Sequence, residues 1–155
     1  MNGKFDSRHP LVGLSDELIR LQGRMKGLYA AARRSEGLGD SELAVLNAVV
    51  EADRPPTVPQ IGRSFGQPRQ IVQRAANSLI AAGLIESAPN PDHKRAVLLL
   101  ATPAGTALKR QIDKHADEVA EGIGAGLDLD NVRAATAALR KVRQQLEARL
   151  RSGES

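Results

Sequence analysis

Leu11, Leu14, Leu18, Leu21, Met25, Leu28 and Ala32 follow one another at intervals of three and four residues. That spacing lines apolar side chains along one stripe and predicts a long first helix with a heptad seam. Ser15 or Asp16 is expected near its start, and Gly37 and Gly39 mark its end. Asp40 reads as the N-cap of a second helix over residues 41–52, with Leu43, Leu46, Val49 and Val50 on its apolar side. Asp53-Arg54-Pro55-Pro56 breaks it.

Thr57-Val58-Pro59-Gln60 then sets a capping Thr three residues before a Gln, with Pro in the first turn. A short third helix follows, with Ile61 and Phe65 expected on its buried side and Gly66 in a sharp turn. Gln67-Pro68 opens a fourth helix with Pro at its first position, running to about Ala82 with Gly83 as C-cap. Val72, Ala75, Ala76, Leu79 and Ile80 make its apolar face, and Gln70, Gln73, Arg74 and Asn77 point the other way.

Residues 84–87 and 96–101 read as two short strands. The segment between them, Ala88-Pro89-Asn90-Pro91-Asp92-His93-Lys94-Arg95, is turn-forming, so the pair is a hairpin with a basic tip. Thr102-Pro103 starts a fifth helix carrying Leu108, Ile112, Ala116, Val119 and Ile123. A last helix begins near Asp128 or Asp130, with Val132, Ala135, Leu139, Val142, Leu146 and Leu150 as its stripe. Residues 152–155 are expected to fray, and no internal repeat is visible.

The fold class is therefore mainly α with a small β-hairpin wing: a winged helix-turn-helix flanked by long N- and C-terminal helices. Three parts are expected: an N-terminal dimerisation helix over 1–37, a DNA-binding lobe over 38–102, and C-terminal dimerisation helices over 103–155.

Composition sharpens this. Aromatic residues are only 2% of the 155, so Leu, Val, Ile and Ala must build the core. So lean a core is marginal for one subunit. Two arrangements remain open for the seams: dimerisation through Leu14, Leu18, Leu21, Leu139, Val142, Leu146 and Leu150, or an intramolecular bundle. No cysteine is present, which excludes thiolate catalysis, disulfides, Cys-ligated zinc and thiol redox sensing. Met1-Asn2-Gly3-Lys4-Phe5-Asp6 has no signal-peptide pattern, and no apolar run is long enough to span a bilayer, so a cytoplasmic location is expected.

The net charge is +4. The excess is concentrated between residues 57 and 102, where Arg63, Arg69, Arg74, Lys94 and Arg95 face only Glu86 and Asp92. A local basic excess is the footprint of a polyanion-binding surface.

A short helix, a Gly turn, a helix with a polar outer face and a hairpin together make a winged helix-turn-helix. The major groove admits such a helix. Gln and Asn offer a donor and an acceptor together to adenine, and Arg offers a fork to guanine. Gln70, Gln73, Arg74 and Asn77 are thus candidate base readers, and Arg63 and Arg69 are candidate DNA contacts, Arg69 suited to phosphate. His93, Lys94 and Arg95 at the wing tip suit phosphates or the adjacent minor groove. Asp92 is positioned to brace Arg95 by an ion pair. The plain alternative is a solvated helix face and a solvated basic loop.

Residues 38–105 resemble the MarR family of bacterial winged-helix regulators. The resemblance is carried by Leu43-Ala44-Val45-Leu46, by Ile61-Gly62-Arg63-Ser64-Phe65-Gly66 and by Leu79-Ile80-Ala81-Ala82-Gly83-Leu84-Ile85. Its strongest stretch runs from Asn90-Pro91-Asp92-His93-Lys94-Arg95 through Val97-Leu98-Leu99-Leu100 to Thr102-Pro103-Ala104-Gly105. The resemblance implies a homodimer in which N- and C-terminal helices interlock. It also implies a small aromatic or phenolic effector that lowers DNA affinity. The chain departs from the family pattern at His93, where the wing usually carries Asp, and at Ala101, Gly39 and Pro68. The lack of cysteine sets it apart from the peroxide-sensing branch.

The function expected is a sequence-specific duplex-DNA-binding regulator, a repressor, acting on a pseudo-palindromic site. The competing expectation is a winged-helix protein-interaction module or antirepressor scaffold. No cofactor and no metal are expected. His9, His93 and His115 lack ligand spacing. Gly122-Ile123-Gly124-Ala125-Gly126 follows a helix rather than a strand, so it is not a phosphate loop. No nucleophile motif is present, so no catalytic residue is assigned.

Overall fold

The computed structural model describes residues 8–34 and 37–153, without the side chains of residues 31–34 and 151. Residues 1–6, the Ala32 side chain, Glu154 and Ser155, all read above from sequence, lie outside the described set. The elements are α1 (Pro10–Arg34), α2 (Asp40–Val50), α3 (Val58–Phe65), α4 (Arg69–Ala81), β1 (Ile85–Ala88), β2 (Leu98–Ala101), α5 (Pro103–Gly124) and α6 (Leu129–Ser152). They are the expected elements in the expected order. One compact unit ends at Ala116 and a second begins at Asp117, the division falling within α5.

The first unit holds the core. Val45, Leu46 and Val49 of α2 meet Val72, Ala75, Ala76 and Leu79 of α4. Val58 and Ile61 of α3, Ile85 of β1, Leu99 of β2 and Ile112 of α5 complete it. Each fully buried aliphatic side chain contributes about 1.5–3 kcal/mol. Leu46, Leu79, Ile85 and Leu99, all at most 1% exposed, are therefore the anchors of the lobe. β1 and β2 pair antiparallel, Ile85 opposite Ala101 and Ala88 opposite Leu98.

Local chemistry sets the boundaries, and it moves several of them from the sequence expectation. α1 begins at Pro10, not near Ser15, because Pro favours the first helical position and His9 Nδ1 accepts the Leu11 N–H at 3.2 Å. The N-cap of α2 is Gly39, not Asp40. Glu42 reaches back to accept the Gly39 N–H at 2.8 Å, so a residue without a side chain serves as cap. α3 has the expected capping box: Thr57 N–H donates to Gln60 Oε1 at 2.9 Å, and Gln60 N–H donates to Thr57 Oγ1 at 3.4 Å. Pro68 is the N-cap of α4 rather than its first residue, and the helix ends at Ala81.

α3 and α4 end in the same way. Gly66 stands at φ 61°, with Gln67 N–H donating to Gly62 O and Gly66 N–H to Arg63 O. At the end of α4, Leu84 N–H donates to Leu79 O and Gly83 N–H to Ile80 O, so Gly83 follows the cap residue Ala82. These paired bonds satisfy the last carbonyls and need a left-handed residue that glycine supplies without strain.

Two apolar residues expected in the core are not there. Phe65 is 48% exposed: α3 buries Val58, Ile61 and Gly62, and Phe65 is its last residue, where the chain turns away at Gly66. Ile80 is 38% exposed because the buried stripe of α4 ends with Leu79.

The base of the wing is fastened by hydrogen bonds. Thr102 Oγ1 donates to Gly83 O at 2.7 Å and accepts the Gly105 N–H at 3.0 Å. Leu99 N–H donates to Pro56 O at 2.8 Å, tying β2 to the segment before α3.

Candidate nucleic-acid interface

The ridge on α4 follows from its burial pattern. Val72, Ala75, Ala76 and Leu79 occupy the core face. A helix turns 100° per residue, so Gln70, Arg74 and Asn77 stand opposite, all exposed, with Gln73 half-buried beside them. Gln73 Nε2 donates to Asn77 Oδ1 at 3.0 Å. The four side chains form a continuous polar strip about two helical turns long. No side chain caps the start of α4, so its first N–H groups and its dipole are open to an anion.

A groove of about 860 Å³ adjoins the start of this helix. Its walls come from three segments: the Arg54-to-Gln60 stretch, Arg63 and Arg69 of the helix-turn-helix, and the loop from Asn90 to Ala96. Four arginines line it: Arg54, Arg63, Arg69 and Arg95, with His93 beside them and Asp92 as the one acidic member. Among the described residues, none of these four guanidiniums forms an ion pair. Four cations without counter-charges repel one another unless an anion comes between them. Guanidinium forks match phosphate oxygens in geometry and charge.

The groove gathers Arg63, Arg69, His93 and Arg95, all of which the sequence had marked. It adds Arg54, which the sequence reading left inside a helix-breaking segment. α2 ends at Val50, ahead of this segment, and the Pro56–Leu99 hydrogen bond carries the segment to the wing. No periodicity argument reaches such a position. Lys94 is exposed but does not line the groove.

The expected Asp92–Arg95 brace does not form. Two successive turns, His93 N–H to Asn90 O and Ala96 N–H to His93 O, separate the two residues, and Asp92 N–H donates to Asn90 Oδ1. Both side chains are exposed, where an ion pair gains little.

Outside the lobe, the seam residues differ in exposure. On α1, Leu14 is half-buried, Leu18 is 39% and Leu21 46% exposed. On α6, Leu139 and Val142 are half-buried, while Leu146 is 45% and Leu150 70% exposed. Among the described residues there is no cluster of three His, Cys, Asp or Glu suited to a metal ion, and no helix long and apolar enough to cross a membrane.

Comparison with known proteins accords with this geometry. A model of the MarR family matches residues 36–96, the span from the start of α2 into the wing. An uncharacterised protein of Mycobacterium tuberculosis is 34% identical over 142 residues, which cover 87% of this chain and 98% of that one. CouR of Rhodococcus jostii RHA1, solved bound to p-coumaroyl-CoA, superposes with a TM-score of 0.70 at 19% identity, covering 84% of this chain and 91% of its own. A cysteine-to-serine mutant of E. coli MarR, solved with operator DNA, gives 0.68 at 20% identity, covering 85% and 94%. At these identities the two solved structures speak for the fold, a six-helix chain with a two-stranded wing. With the family match falling on the helix-turn-helix and the first strand of the wing, the chain belongs to the MarR family of winged-helix transcriptional regulators.

Proposed function

We propose that this regulator works as a homodimeric repressor that reads a pseudo-palindromic duplex. In this reading α4 enters the major groove and reads bases with Gln70, Gln73, Arg74 and Asn77. Arg54, Arg63 and Arg69 hold the phosphate backbone beside it, and His93, Lys94 and Arg95 follow the backbone toward the minor groove. The observation that carries this reading is the groove of four unpaired arginines set against an uncapped helix start.

Dimerisation rests on the apolar residues that α1 and α6 leave open to water. Leu11, Leu18, Leu21, Met25 and Leu28 on α1, and Val132, Leu146 and Leu150 on α6, are each at least 39% exposed. A chain with this many exposed aliphatic residues at heptad spacing gains by pairing with a second copy. Residues 38–102 then act as the DNA-binding lobe, and residues 1–37 and 103–155 as the dimer scaffold. Two lobes so held meet one face of DNA about one turn apart, roughly 34 Å.

CouR was solved bound to p-coumaroyl-CoA, whose acyl group is phenolic, which supports a small aromatic or phenolic effector for this chain as well. Its binding releases DNA in the proposed scheme.

The test is selection of bound duplexes from a random pool, with light scattering on the same preparation. A dimer that enriches an inverted repeat supports the reading. A dimer that enriches no sequence at all, with binding that ignores salt, overturns it in favour of a protein-interaction module.

A further inference from the structure

We propose that Gln73 and Asn77 act as one reading unit, in which Asn77 locks the Gln73 side-chain amide so that it selects adenine. The inference rests on the DNA-reading function proposed above and concerns how the base is chosen.

The two residues lie one helical turn apart on the exposed ridge of α4, and Gln73 Nε2 donates to Asn77 Oδ1 at 3.0 Å. A glutamine amide has two N–H donors and one oxygen with two lone pairs. A two-pronged contact with adenine uses the oxygen and the N–H on the same side: the oxygen accepts from N6 and the N–H donates to N7. The second N–H lies on the far side of the amide, and no base edge can use it at the same time. Made with the far N–H, the bond to Asn77 leaves Gln73 its oxygen and the near N–H, the pair that adenine requires.

The bond also fixes direction. An unrestrained glutamine amide turns over readily and presents donor and acceptor in either order. It then meets adenine in one state and offers donors to guanine in the other. Turning over Gln73 alone would place its oxygen against the Asn77 oxygen, two acceptors without a proton between them; Asn77 must turn over with it and give up its outward NH2 donors, so the pair changes state only together. The half-burial of Gln73 against the helix further limits its rotamers. Asn77 in turn spends its carbonyl on Gln73 and shows only its NH2 group outward. It is a positioning residue for the adenine contact, and its own outward donors suit a phosphate or a base acceptor.

The test compares the base preferences of wild type, Asn77→Ala, Gln73→Ala and the double variant on the same random duplex pool. Both positions accept alanine in a helix, and neither side chain lies in the core. Asn77→Ala is expected to lower the preference for adenine roughly tenfold at the same base pair that Gln73→Ala affects. The double variant should lose no more than Gln73→Ala alone, the signature of coupled residues. Asn77→Asp keeps an oxygen for the Gln73 N–H. It should retain the adenine preference while binding all sequences more weakly, because its charge repels phosphate. The inference is overturned if the two single variants affect different base pairs, or if Asn77→Ala weakens every sequence equally. If wild type itself enriches no sequence, the DNA-reading function fails and this inference with it.

Discussion

Ser78 and Glu42 are thirty-six residues apart in sequence, and the Ser78 hydroxyl donates to Glu42 Oε1. Glu42 Oε2 accepts the Gly39 N–H at 2.8 Å. One carboxylate thus caps α2 and ties it to the last turn of α4, one residue beyond Asn77. The Ser78 hydroxyl, and after it the Gly39 N–H, hold the Glu42 carboxyl below its ordinary value of 4.5; partial burial opposes them.

The sign of the pH effect follows. A carboxylate whose folded pKa is lowered stabilises the protein above 4.5, and that contribution is lost as pH falls through the lowered value. Glu42→Gln should therefore cost about 1 kcal/mol at neutral pH, an exposed charged hydrogen bond being worth little more. The gap in melting temperature between wild type and variant should close as pH drops below 4.5. A gap that stays constant through that range would show that the charge is irrelevant.

A second prediction concerns Lys109, a buried cation on α5. Its ammonium is 2.6 Å from Asp113 Oδ2 and 3.1 Å from Glu51 Oε1, and the residue is 6% exposed. Burial works against the charged form, but the hydrogen bonds that the ammonium donates to Asp113 and Glu51, and their charges, outweigh it and raise the pKa above 10.5. A raised lysine stabilises fully below 10.5 and loses that contribution only at higher pH, so the network is intact at neutral pH. The two carboxylates are over half exposed. Lys109→Met leaves them in water and fills the same space, at about 1 kcal/mol or less. Removing both partners, Glu51→Ala with Asp113→Ala, strands the buried ammonium and should cost about 3 kcal/mol. Urea denaturation measures both; a larger loss for Lys109→Met would reverse the argument.

Gly105 carries the third. A Cβ there would stand 1.9 Å from the Leu84 carbonyl oxygen and 3.4 Å from Leu46 Cδ1. That carbonyl also accepts from Thr102 N–H at 3.2 Å and Thr102 Oγ1 at 3.0 Å, so it cannot withdraw without opening the base of the wing. Gly105→Ala should destabilise the lobe by about 3 kcal/mol or more, beyond an ordinary surface change. A thermal melt within a degree or two of wild type would mean that the wing shifts freely.

These sites also show what the sequence made legible. Periodicity found the longer helices, because stripes such as those of α4 and α5 repeat at helical spacing, while capping signals found α3 and turn residues the two strands. The Thr57–Gln60 capping box was readable because its two bonds lie within four residues. Contacts between distant segments were not readable. Glu42 with Ser78, Lys109 with Glu51, and Arg54 with the wing all depend on how elements meet, and no local pattern encodes that. The end of a helix defeated the pattern as well: Phe65 continues the α3 stripe in sequence but lies beyond the core, because Gly66 ends the helix there. The Asp92–Arg95 brace failed for a related reason. Proximity in sequence within the wing loop suggests a pair, but here two backbone turns separate them.

The last prediction separates two roles among the arginines. Arg54 and Arg63 line the groove without ion pairs, so their proposed partner is phosphate, which is the same under every base. Replacing either by Ala should weaken binding to all duplexes alike and lower the slope of log affinity against log salt by about 1. Arg74 stands on the α4 ridge outside the groove, with its guanidinium exposed. Its proposed partner is a base edge, so Arg74→Ala should cost about 1–3 kcal/mol on the preferred operator and little on a scrambled one. Its salt slope should stay near that of wild type, because a base contact releases no condensed counterion. Fluorescence anisotropy on both duplexes across a salt series reads all of these quantities. If Arg74→Ala lowers the salt slope and spares the operator preference, Arg74 is a phosphate contact and base reading belongs to the amides alone.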